Sequence, residues 1–288
     1  MGSNSIYGSV QDRYGELADR SSTSEKKTEQ NIAQAFGYDA ADLSSIPQAA
    51  NLGVSCGNPL ALANLRAGET VIDLGSGGGI DVLLAAKKVG PKGKAIGVDM
   101  TKSMLELARK NAEKAGASNA TFIEASITSI PLPNATADCI ISNCVVNLVP
   151  TVDKHLAFNE MFRLLGPGGR VAISDILTRK ELPQEVINSL SFYVGCIAGA
   201  SQVHEYEKYL SEAGFEDVVI IDTHSDINVY KDLVQKQMDL GEASDRLEPT
   251  SCCGGKQEKH TNGGDLLECD FNEWAGSFQI YAVKQSGK

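Results

Sequence analysis

Three cysteines lie at positions from which their thiols could act together. Cys56 lies in a loop ahead of an apolar run, Cys144 ends a second apolar run, and Cys196 lies in a stretch rich in small and apolar residues. Thiolates that meet without a histidine form a soft, trigonal site. The three positions therefore predict a site for a thiophilic element, although composition alone favours three unrelated buried cysteines.

Trivalent arsenic is the element that best suits such a trio. It bonds three sulfurs in a pyramid and keeps a lone pair that can attack an electrophilic methyl group. Zinc is less apt, because it usually takes four ligands and these spacings contain no Cys-x2-Cys pair. No histidine pairs with a cysteine at metal-ligand spacing. The chemistry then needs a methyl donor beside the thiols.

A glycine-rich turn is the place where such a donor could bind. The apolar strand Val71–Leu74 leads into four glycines within five residues, and a helical stretch begins at Ile80. Glycine allows the sharp turn and keeps side chains away from a ligand on the backbone. The turn also directs the positive end of the next helix towards that ligand. Gly75, Gly77 and Gly79 are therefore predicted to contact the cofactor.

Two carboxylates narrow the choice of cofactor. Asp73 precedes the first glycine, where it could pair with the amino group of S-adenosylmethionine (SAM). Asp99 ends the next apolar run, where it could accept hydrogen bonds from both ribose hydroxyls. The order strand-Asp-Leu-Gly-x-Gly resembles the SAM-dependent class I methyltransferase fingerprint more than the dinucleotide one. SAM is therefore the predicted cofactor, ahead of a nicotinamide cofactor or a purely structural turn.

Further cofactor contacts are predicted at the ends of neighbouring strands. Met100 and Ile127 are expected near the adenine ring, with ordinary packing as the alternative for Met100. SAM enzymes often carry an acidic residue just before that isoleucine, but Ser126 stands there. Asn143 ends the same strand as Cys144, and ligands of open α/β sheets collect at such strand ends. Asn143 is therefore expected beside the cofactor, whereas Cys139, at the other end of the strand, is expected in the core.

The order of strands and helices predicts the fold class. Strand and helix patterns alternate through the fifth strand at Arg170–Asp175, which indicates a mostly parallel, Rossmann-like sheet of seven strands with helices on both faces. The final run Ser277–Lys284 is predicted to be an edge strand. We expect an N-terminal helical segment with the thiol loop (1–60), a SAM-binding domain (61–178) and a lid with the last strands (179–288). The last part contains a polar insert at about 224–274.

Composition limits the classes of partner and compartment. The chain has 288 residues, seven cysteines and a formal net charge of -11. Such a charge argues against nucleic acids and anionic membranes as partners. No apolar run approaches the ~20 residues of a membrane span, and no secretory pattern opens the chain. We therefore expect a cytoplasmic protein with reduced thiols, and a monomer by default.

Four stretches together closely resemble the arsenite methyltransferase family. They are Asn51–Pro59, Glu69–Gly77, Ile141–Leu148 and Gly195–Ala200, and the similarity extends roughly from Val10 to Phe215. The pieces Asn-Cys-Val-Val-Asn-Leu and Gly-Cys-Ile-Ala-Gly-Ala are the most specific. The resemblance implies that Cys144 and Cys196 hold the arsenic. It also implies that Cys56 is a third thiol, used in binding and in reducing the pentavalent product.

The reaction implied is methylation of arsenite or methylarsenite by SAM, an arsenic detoxification. Arsenic attacks the sulfonium methyl in line and is formally oxidised, so thiols must return the electrons. A protein disulfide formed in that step would be reduced by thioredoxin or glutathione. Asp73 and Asp99 would serve the cofactor rather than the methyl transfer.

The sequence departs from the family in its N-terminal segment. Family members commonly carry a further cysteine or cysteine pair there, but the segment 20–30 contains none. This difference leaves the preference between arsenite and methylarsenite open. The pair Cys252 and Cys253 in the insert could replace the missing thiols.

Two other functions are compatible with the same residues. A SAM-dependent methyltransferase could act on carbon or oxygen of a small organic acceptor such as a quinone or sterol, with the cysteines only packing. A protein without catalytic activity could instead sense or sequester a soft metal. In the first case, serine at positions 144 and 196 would leave activity intact. In the second, the protein would not bind SAM.

Overall fold

A seven-stranded sheet lies at the centre of the protein. The computed structural model describes residues 3–20, 27–182, 199–230 and 270–286. The strand order is β3-β2-β1-β4-β5-β7-β6, and among these strands β7 alone runs in the direction opposite to the other six. This arrangement is that of class I SAM methyltransferases and confirms the predicted fold class. None of the helices in the described ranges is long and apolar enough to cross a membrane.

The elements have the following bounds. The strands are β1 Thr70–Leu74, β2 Lys94–Asp99, β3 Ala120–Glu124, β4 Ala137–Asn143, β5 Leu165–Thr178, β6 Glu216–Asp222 and β7 Ala275–Val283. The helices are α1 Ser3–Arg20, α2 Lys27–Ala35, α3 Ala40–Ser44, α4 Pro59–Ala63, α5 Ile80–Val89, α6 Lys102–Ala115, α7 Lys154–Leu164 and α8 Val203–Ala213. Short 3-10 turns occupy Gln48–Ala50, Val146–Leu148, Ile227–Tyr230 and Phe271–Glu273.

The two faces of the sheet pack against different helices. Alternate residues of a strand point to opposite faces, and the central strands bury both sets of side chains. On one face, Ile72 and Ile140 pack with Phe158 of α7 and Tyr206 of α8. On the other, alternate residues of the same strands pack with Leu83 and its neighbours in α5. The predicted helices on both faces are therefore present, and Cys139 lies in the second core as expected.

A third cluster of buried residues lies at the carboxyl ends of the strands. It joins Val10 of α1 with Cys56, Cys144, Ile176 and Phe271. Its members come from all three parts of the chain that the sequence analysis distinguishes, 1–60, 61–178 and 179–288. The division of the chain into these three parts stays a prediction. This cluster brings the N-terminal helix to the end of the sheet where ligands are expected.

The position of β7 differs from the sequence-based prediction. The run Ser277–Lys284 was expected to be an edge strand, but β7 pairs with β5 on one side and with β6 on the other. The edge strand on that side of the described sheet is β6, where Val219 and Ile221 are 46% and 49% exposed. Alternation of apolar and polar residues reports which face of a strand is covered, but it does not report how many neighbours the strand has.

The chain leaves and re-enters the described part of the structure at adjacent points. Asn228 Nδ2 donates to Asp270 Oδ1 at 2.7 Å, and Asn272 Nδ2 donates to Asp226 Oδ1 at 2.7 Å. The backbone N–H of Phe271 also donates to Asn228 Oδ1 at 3.1 Å. These reciprocal bonds hold the two ends of the insert together beside the third cluster.

A buried ion pair at the opposite end of the sheet leads to a stability prediction. Arg170 on β5 is 8% exposed, donates to both carboxylate oxygens of Glu69 at 2.9 and 2.8 Å, and donates to the carbonyl of Ala63. Replacing Arg170 by methionine would leave that carboxylate buried without its cation. We expect the free energy of unfolding in urea to fall by about 3 kcal/mol.

The control for this prediction is an exposed ion pair. Lys208 and Glu212 are 3.8 Å apart on α8, with side chains 68% and 60% exposed. The Lys208→Met variant is expected to lose less than about 0.5 kcal/mol. Equal losses in the two variants would contradict a stabilising role for Arg170.

Candidate active site

A cavity opens at the carboxyl ends of β1, β2 and β4. Six of the eight predicted cofactor contacts line it: Gly75, Gly77, Asp99, Met100, Ile127 and Asn143. Tyr7, Val10 and Tyr14 of α1 line it from another side. Gln11, also on α1, donates from Nε2 to the carbonyl of Met100 at 2.9 Å, which ties the helix to the end of β2. The cavity has the mostly apolar lining of a small-molecule site.

The other two predicted cofactor contacts lie behind the cavity surface. Gly79 begins α5 with φ 92°. Asp73 is 4% exposed within β1. Neither residue belongs to the cavity lining, so their contact with a cofactor stays a prediction.

Gly75 illustrates why the turn needs glycine. Its φ is 71°, and a Cβ at this position would lie 2.3 Å from Cγ2 of Val145. A side chain at position 75 would therefore be strained in its backbone and would also collide with the segment that follows Cys144. The glycine allows the first turn to pass directly beneath that segment.

Asp99 is held in place by backbone groups at the cavity wall. Its two carboxylate oxygens accept the N–H groups of Gly77 at 2.9 Å and Thr101 at 2.8 Å. Burial raises the pKa of Asp99, and these backbone bonds act in the opposite direction. A carboxylate fixed in this way could still accept two ribose hydroxyls through its remaining lone pairs. The residues present therefore fit a nucleoside cofactor, with apolar side chains of Met100 and Ile127 available to the base.

A second buried carboxylate, Asp81 on α5, lies close to Asp73. Tyr38 donates its hydroxyl to Asp81 at 2.7 Å, and Asn143 Nδ2 lies 3.4 Å from the same carboxylate. Burial raises the pKa of Asp81 to about 6, with the two hydrogen bonds acting in the opposite direction. Burial, followed by the charges of Asp81 and Asp99, raises the pKa of Asp73 well above its usual value.

These raised pKa values predict how stability depends on pH. The folded protein binds protons on Asp81 more tightly than the unfolded chain does, so this contribution is complete below pH 4 and is lost as the pH rises through about 6. The Asp81→Asn variant is expected to remove about 3 kcal/mol of this pH dependence. Urea unfolding of the cofactor-free protein between pH 4 and pH 7 measures it. If the free energy of unfolding changes with pH equally in the two proteins, the raised pKa of Asp81 is contradicted.

Cys56 and Cys144 are joined by a disulfide, and their Cα atoms are 5.8 Å apart. The pairing brings together two positions that are 88 residues apart in the sequence. Cys144 lines the cavity, and Cys56 is fully buried behind it. The structure thus brings together two of the three predicted thiols at the edge of the predicted cofactor site. Cys196, Cys252 and Cys253 lie outside the described residues, and their roles stay predictions.

Local backbone geometry places both sulfurs. Cys144 has φ 62° where β4 ends, and its N–H donates to the carbonyl of Ser174 at 2.9 Å. The N–H of Cys56 donates to Asn143 Oδ1 at 3.1 Å, while Asn143 Nδ2 donates to the carbonyl of Gly57 at 2.9 Å. Asn143 therefore borders the cavity and also fixes the thiol loop on the end of β4.

Asp175 is a site residue that the sequence analysis missed. Its carboxylate and the sulfurs of Cys56 and Cys144 all lie within 4.8 Å of one another. Burial raises its pKa to about 7, with the charge of Lys154 acting in the opposite direction. The signal that could have identified it is its position at the end of an apolar parallel strand, which is the argument that placed Cys144.

The arrangement can bind a nucleoside cofactor and, once the disulfide is reduced, a thiophilic substrate beside it. Comparison with known proteins agrees with this chemistry. A family model described as a methyltransferase domain matches residues 65–214, which is more than half of the chain.

Two curated relatives and one solved structure extend the comparison. The arsenite methyltransferase of Halobacterium salinarum is 46% identical over 194 residues, 67% of this chain and 49% of that protein. The human arsenite methyltransferase is 38% identical over 154 residues, 50% of this chain and 40% of that protein. This chain therefore spans about half or less of the length of these relatives.

The solved structure is an arsenic(III) S-adenosylmethionine methyltransferase from Chlamydomonas reinhardtii. It is 26% identical, with a TM-score of 0.53, and the alignment covers 91% of this chain and 74% of that one. These relatives confirm the resemblance seen in the motifs. The chain belongs to the methyltransferase-domain family, and within that family it is similar to arsenite methyltransferases.

Proposed function

We propose that the protein methylates trivalent arsenic with SAM as the methyl donor. One observation carries the proposal: two cysteines distant in sequence have bonded sulfurs at the edge of the cavity that the predicted cofactor residues line. Two sulfurs that can bond each other can also, when reduced, bond one arsenic atom. The similarity to arsenite methyltransferases supports the same substrate.

The residues at the cavity wall account for binding of the cofactor. Asp99 would accept the ribose hydroxyls, Met100 and Ile127 would contact the adenine, and the glycine turn would leave room for the methionine portion. Asp73 lies behind the turn, where a cationic amino group would favour its ionised form against the effect of burial. When bound, SAM supplies an electrophilic methyl on a sulfonium sulfur.

The thiols account for binding and orientation of the substrate. Cys56, Cys144 and Cys196 would hold As(III) as three thiolates, which leaves its lone pair available for the methyl group. Methyl transfer forms an As–C bond and breaks the C–S bond of the donor. The arsenic attacks without losing a proton, so positioning is the main contribution of the protein.

The same thiols can restore the trivalent state. Methyl transfer leaves the arsenic formally pentavalent, and two thiolates can return two electrons by forming a disulfide. Cys56 and Cys144 are the pair that the geometry favours for this step. An external dithiol or glutathione, with thioredoxin as the protein candidate, would then reduce the disulfide.

The test is a direct assay of methylated arsenicals. The reduced protein is incubated with SAM, a thiol reductant, and either arsenite or methylarsenite, and the products are separated and quantified. We expect methylated product from at least one arsenical, and no more than about one equivalent per protein when the reductant is omitted. Absence of product from both arsenicals would refute the proposal. Methylation of a quinone instead would indicate the organic-acceptor alternative.

A further inference from the structure

Cys56, Cys144 and Asp175 are three side chains whose donor atoms could bind one cation. Their two sulfurs and one carboxylate oxygen lie within 4.8 Å of one another, and all three residues are buried. Two ligands of a tetrahedral zinc ion lie about 3.6–3.8 Å apart, because Zn–S bonds are ~2.3 Å and Zn–O bonds are ~2.1 Å long. Reduction of the disulfide would therefore leave three donor atoms at separations that one cation can bridge.

The carboxylate of Asp175 is held in place by its neighbours. Its Oδ1 accepts Asn147 Nδ2 at 2.8 Å and the N–H of Ile176 at 3.0 Å, and its Oδ2 accepts the hydroxyl of Tyr206 at 3.2 Å. An ionised carboxylate has about four lone-pair sites, so at least one site remains for a cation. Hydrogen bonds of this kind orient the ligands of metal sites. The proposed methyl transfer does not use this carboxylate.

The donor set suits a divalent cation of intermediate softness. Zinc is less apt for three cysteines alone, but two thiolates with a carboxylate are ligands that zinc accepts. Three anionic ligands exceed the charge of a divalent cation by one. Lys154 is buried, and its positive charge, which opposes the effect of burial on the pKa of Asp175, balances that excess. Because Cys144 lines the cavity, a water molecule on that side could complete the tetrahedron.

We propose that the reduced protein binds one Zn²⁺ ion through the sulfurs of Cys56 and Cys144 and an oxygen of Asp175. Binding forms two Zn–S bonds and one Zn–O bond and releases the protons of the two thiols to water. The oxidised protein does not bind the ion, because the disulfide leaves no thiolate. Zinc and arsenic exclude each other, since they use the same two sulfurs. This last consequence rests on the proposed function, whereas the binding of zinc does not.

The test measures binding of Zn²⁺ alone, without SAM or arsenic. The parent protein for this test lacks the four cysteines outside the described residues, through Cys196→Ser, Cys252→Ser, Cys253→Ser and Cys269→Ser. It is reduced, freed of metal and titrated with Zn²⁺ in competition with a chromophoric chelator. We expect one zinc ion per chain. We expect none after oxidation with diamide, in which the thiols of Cys56 and Cys144 give two protons and two electrons to the N=N bond and form their disulfide.

The Asp175→Asn variant tests the carboxylate, because asparagine has the size of aspartate but no charge. Even the loss of a hydrogen-bond partner of a metal ligand costs roughly 10–100-fold in affinity, so we expect zinc to bind about 100-fold more weakly. Asp81→Asn is the matched control. Asp81 is also buried and accepts the hydroxyl of Tyr38 at 2.7 Å, but it belongs to no such group of metal-binding side chains among the described residues. Its affinity for zinc is expected within about twofold of the parent.

Urea unfolding shows which variants are folded. If Asp175→Asn is not, Tyr206→Phe replaces it: only the hydroxyl that orients Asp175 is removed, and we expect zinc to bind about tenfold more weakly. Its control is Tyr38→Phe, expected within about twofold of the parent. Equal affinities of a site variant and its control would overturn the proposal, as would a reduced parent that takes up no zinc. Because neither SAM nor arsenic is present, the result is independent of the methylation assay above.

Discussion

The Cys144→Ser variant is expected to lose arsenic methylation by on the order of 10³-fold, which corresponds to about 4 kcal/mol of transition-state stabilisation. A hydroxyl oxygen is a hard donor and does not replace a thiolate on arsenic. The loss includes both the substrate bond and the electron pair that Cys144 returns with Cys56. Serine is close to cysteine in size, so the turn at φ 62° and the bond to Ser174 are retained.

Cys139 is the control for this variant, because it lies on the same strand. It is buried in the core, where burial raises the pKa of its thiol to about 12. The Cys139→Ser variant is expected to lose up to about 2 kcal/mol of stability, and to methylate arsenic normally once folded. Titration with SAM distinguishes a lost substrate site from a lost fold. Full arsenic methylation by the Cys144→Ser variant would indicate that the cysteines only contribute to packing. It would then favour an organic molecule as the methyl acceptor.

The Asp99→Ala variant is expected to bind SAM more weakly by on the order of 10³-fold, or about 4 kcal/mol. Two hydrogen bonds from ribose hydroxyls to a carboxylate account for most of this loss. The N–H groups of Gly77 and Thr101 also lose their acceptor, so the turn that faces the cofactor is less well fixed. Calorimetry on the cofactor-free protein measures the change.

Asp138 offers a matched control at the other end of the sheet. It also accepts a backbone N–H, that of Thr70 at 2.8 Å, but it lies where β4 begins. The Asp138→Ala variant is expected to bind SAM within about twofold of the parent protein. If the Asp99→Ala and Asp138→Ala variants bind SAM with comparable affinity, Asp99 does not contact the cofactor.

The cofactor side of the site was predictable because its determinants are local. The glycine turn and Asp99 sit on consecutive elements of one strand-helix-strand unit, and the connection of such units is strongly constrained. The sequence pattern therefore placed Gly75, Gly77 and Asp99 together before any distance was known. Their presence in one cavity agrees with that prediction.

The positions of the two bonded cysteines were predicted by two different arguments. The strand-end rule placed Cys144 beside the cofactor, but Cys56 lies in an irregular loop whose path no periodicity describes. Its position ahead of the first strand only allowed a place near Cys144, and the motif resemblance implied that place. In the structure, Asn143 fixes that loop through hydrogen bonds to backbone groups at positions 56 and 57. A single asparagine that holds a remote loop leaves no repeating pattern in the sequence.

The buried polar residues near the thiols could not be predicted in the same way. Lys154, Asp175 and Tyr206 lie on three separate elements, and each is an ordinary residue for its position. A lysine in the first turn of a helix is normally solvated. Only tertiary packing shows that this one is buried, because its partners come from a segment 45 residues later.

The place of β7 between β5 and β6 has a consequence for synthesis of the chain. β6 leaves the ribosome before β7, its one neighbour among the described strands, since Ala275 follows Asp222 by 53 positions. At translation rates of ~5–20 residues per second, this nascent strand waits for about 3–10 s without a partner. During that interval the backbone N–H and C=O groups of β6 are unpaired, and the apolar side chains of Val219 and Ile221 are exposed. Chaperone binding to the nascent chain is therefore expected to be strongest at this stage of synthesis.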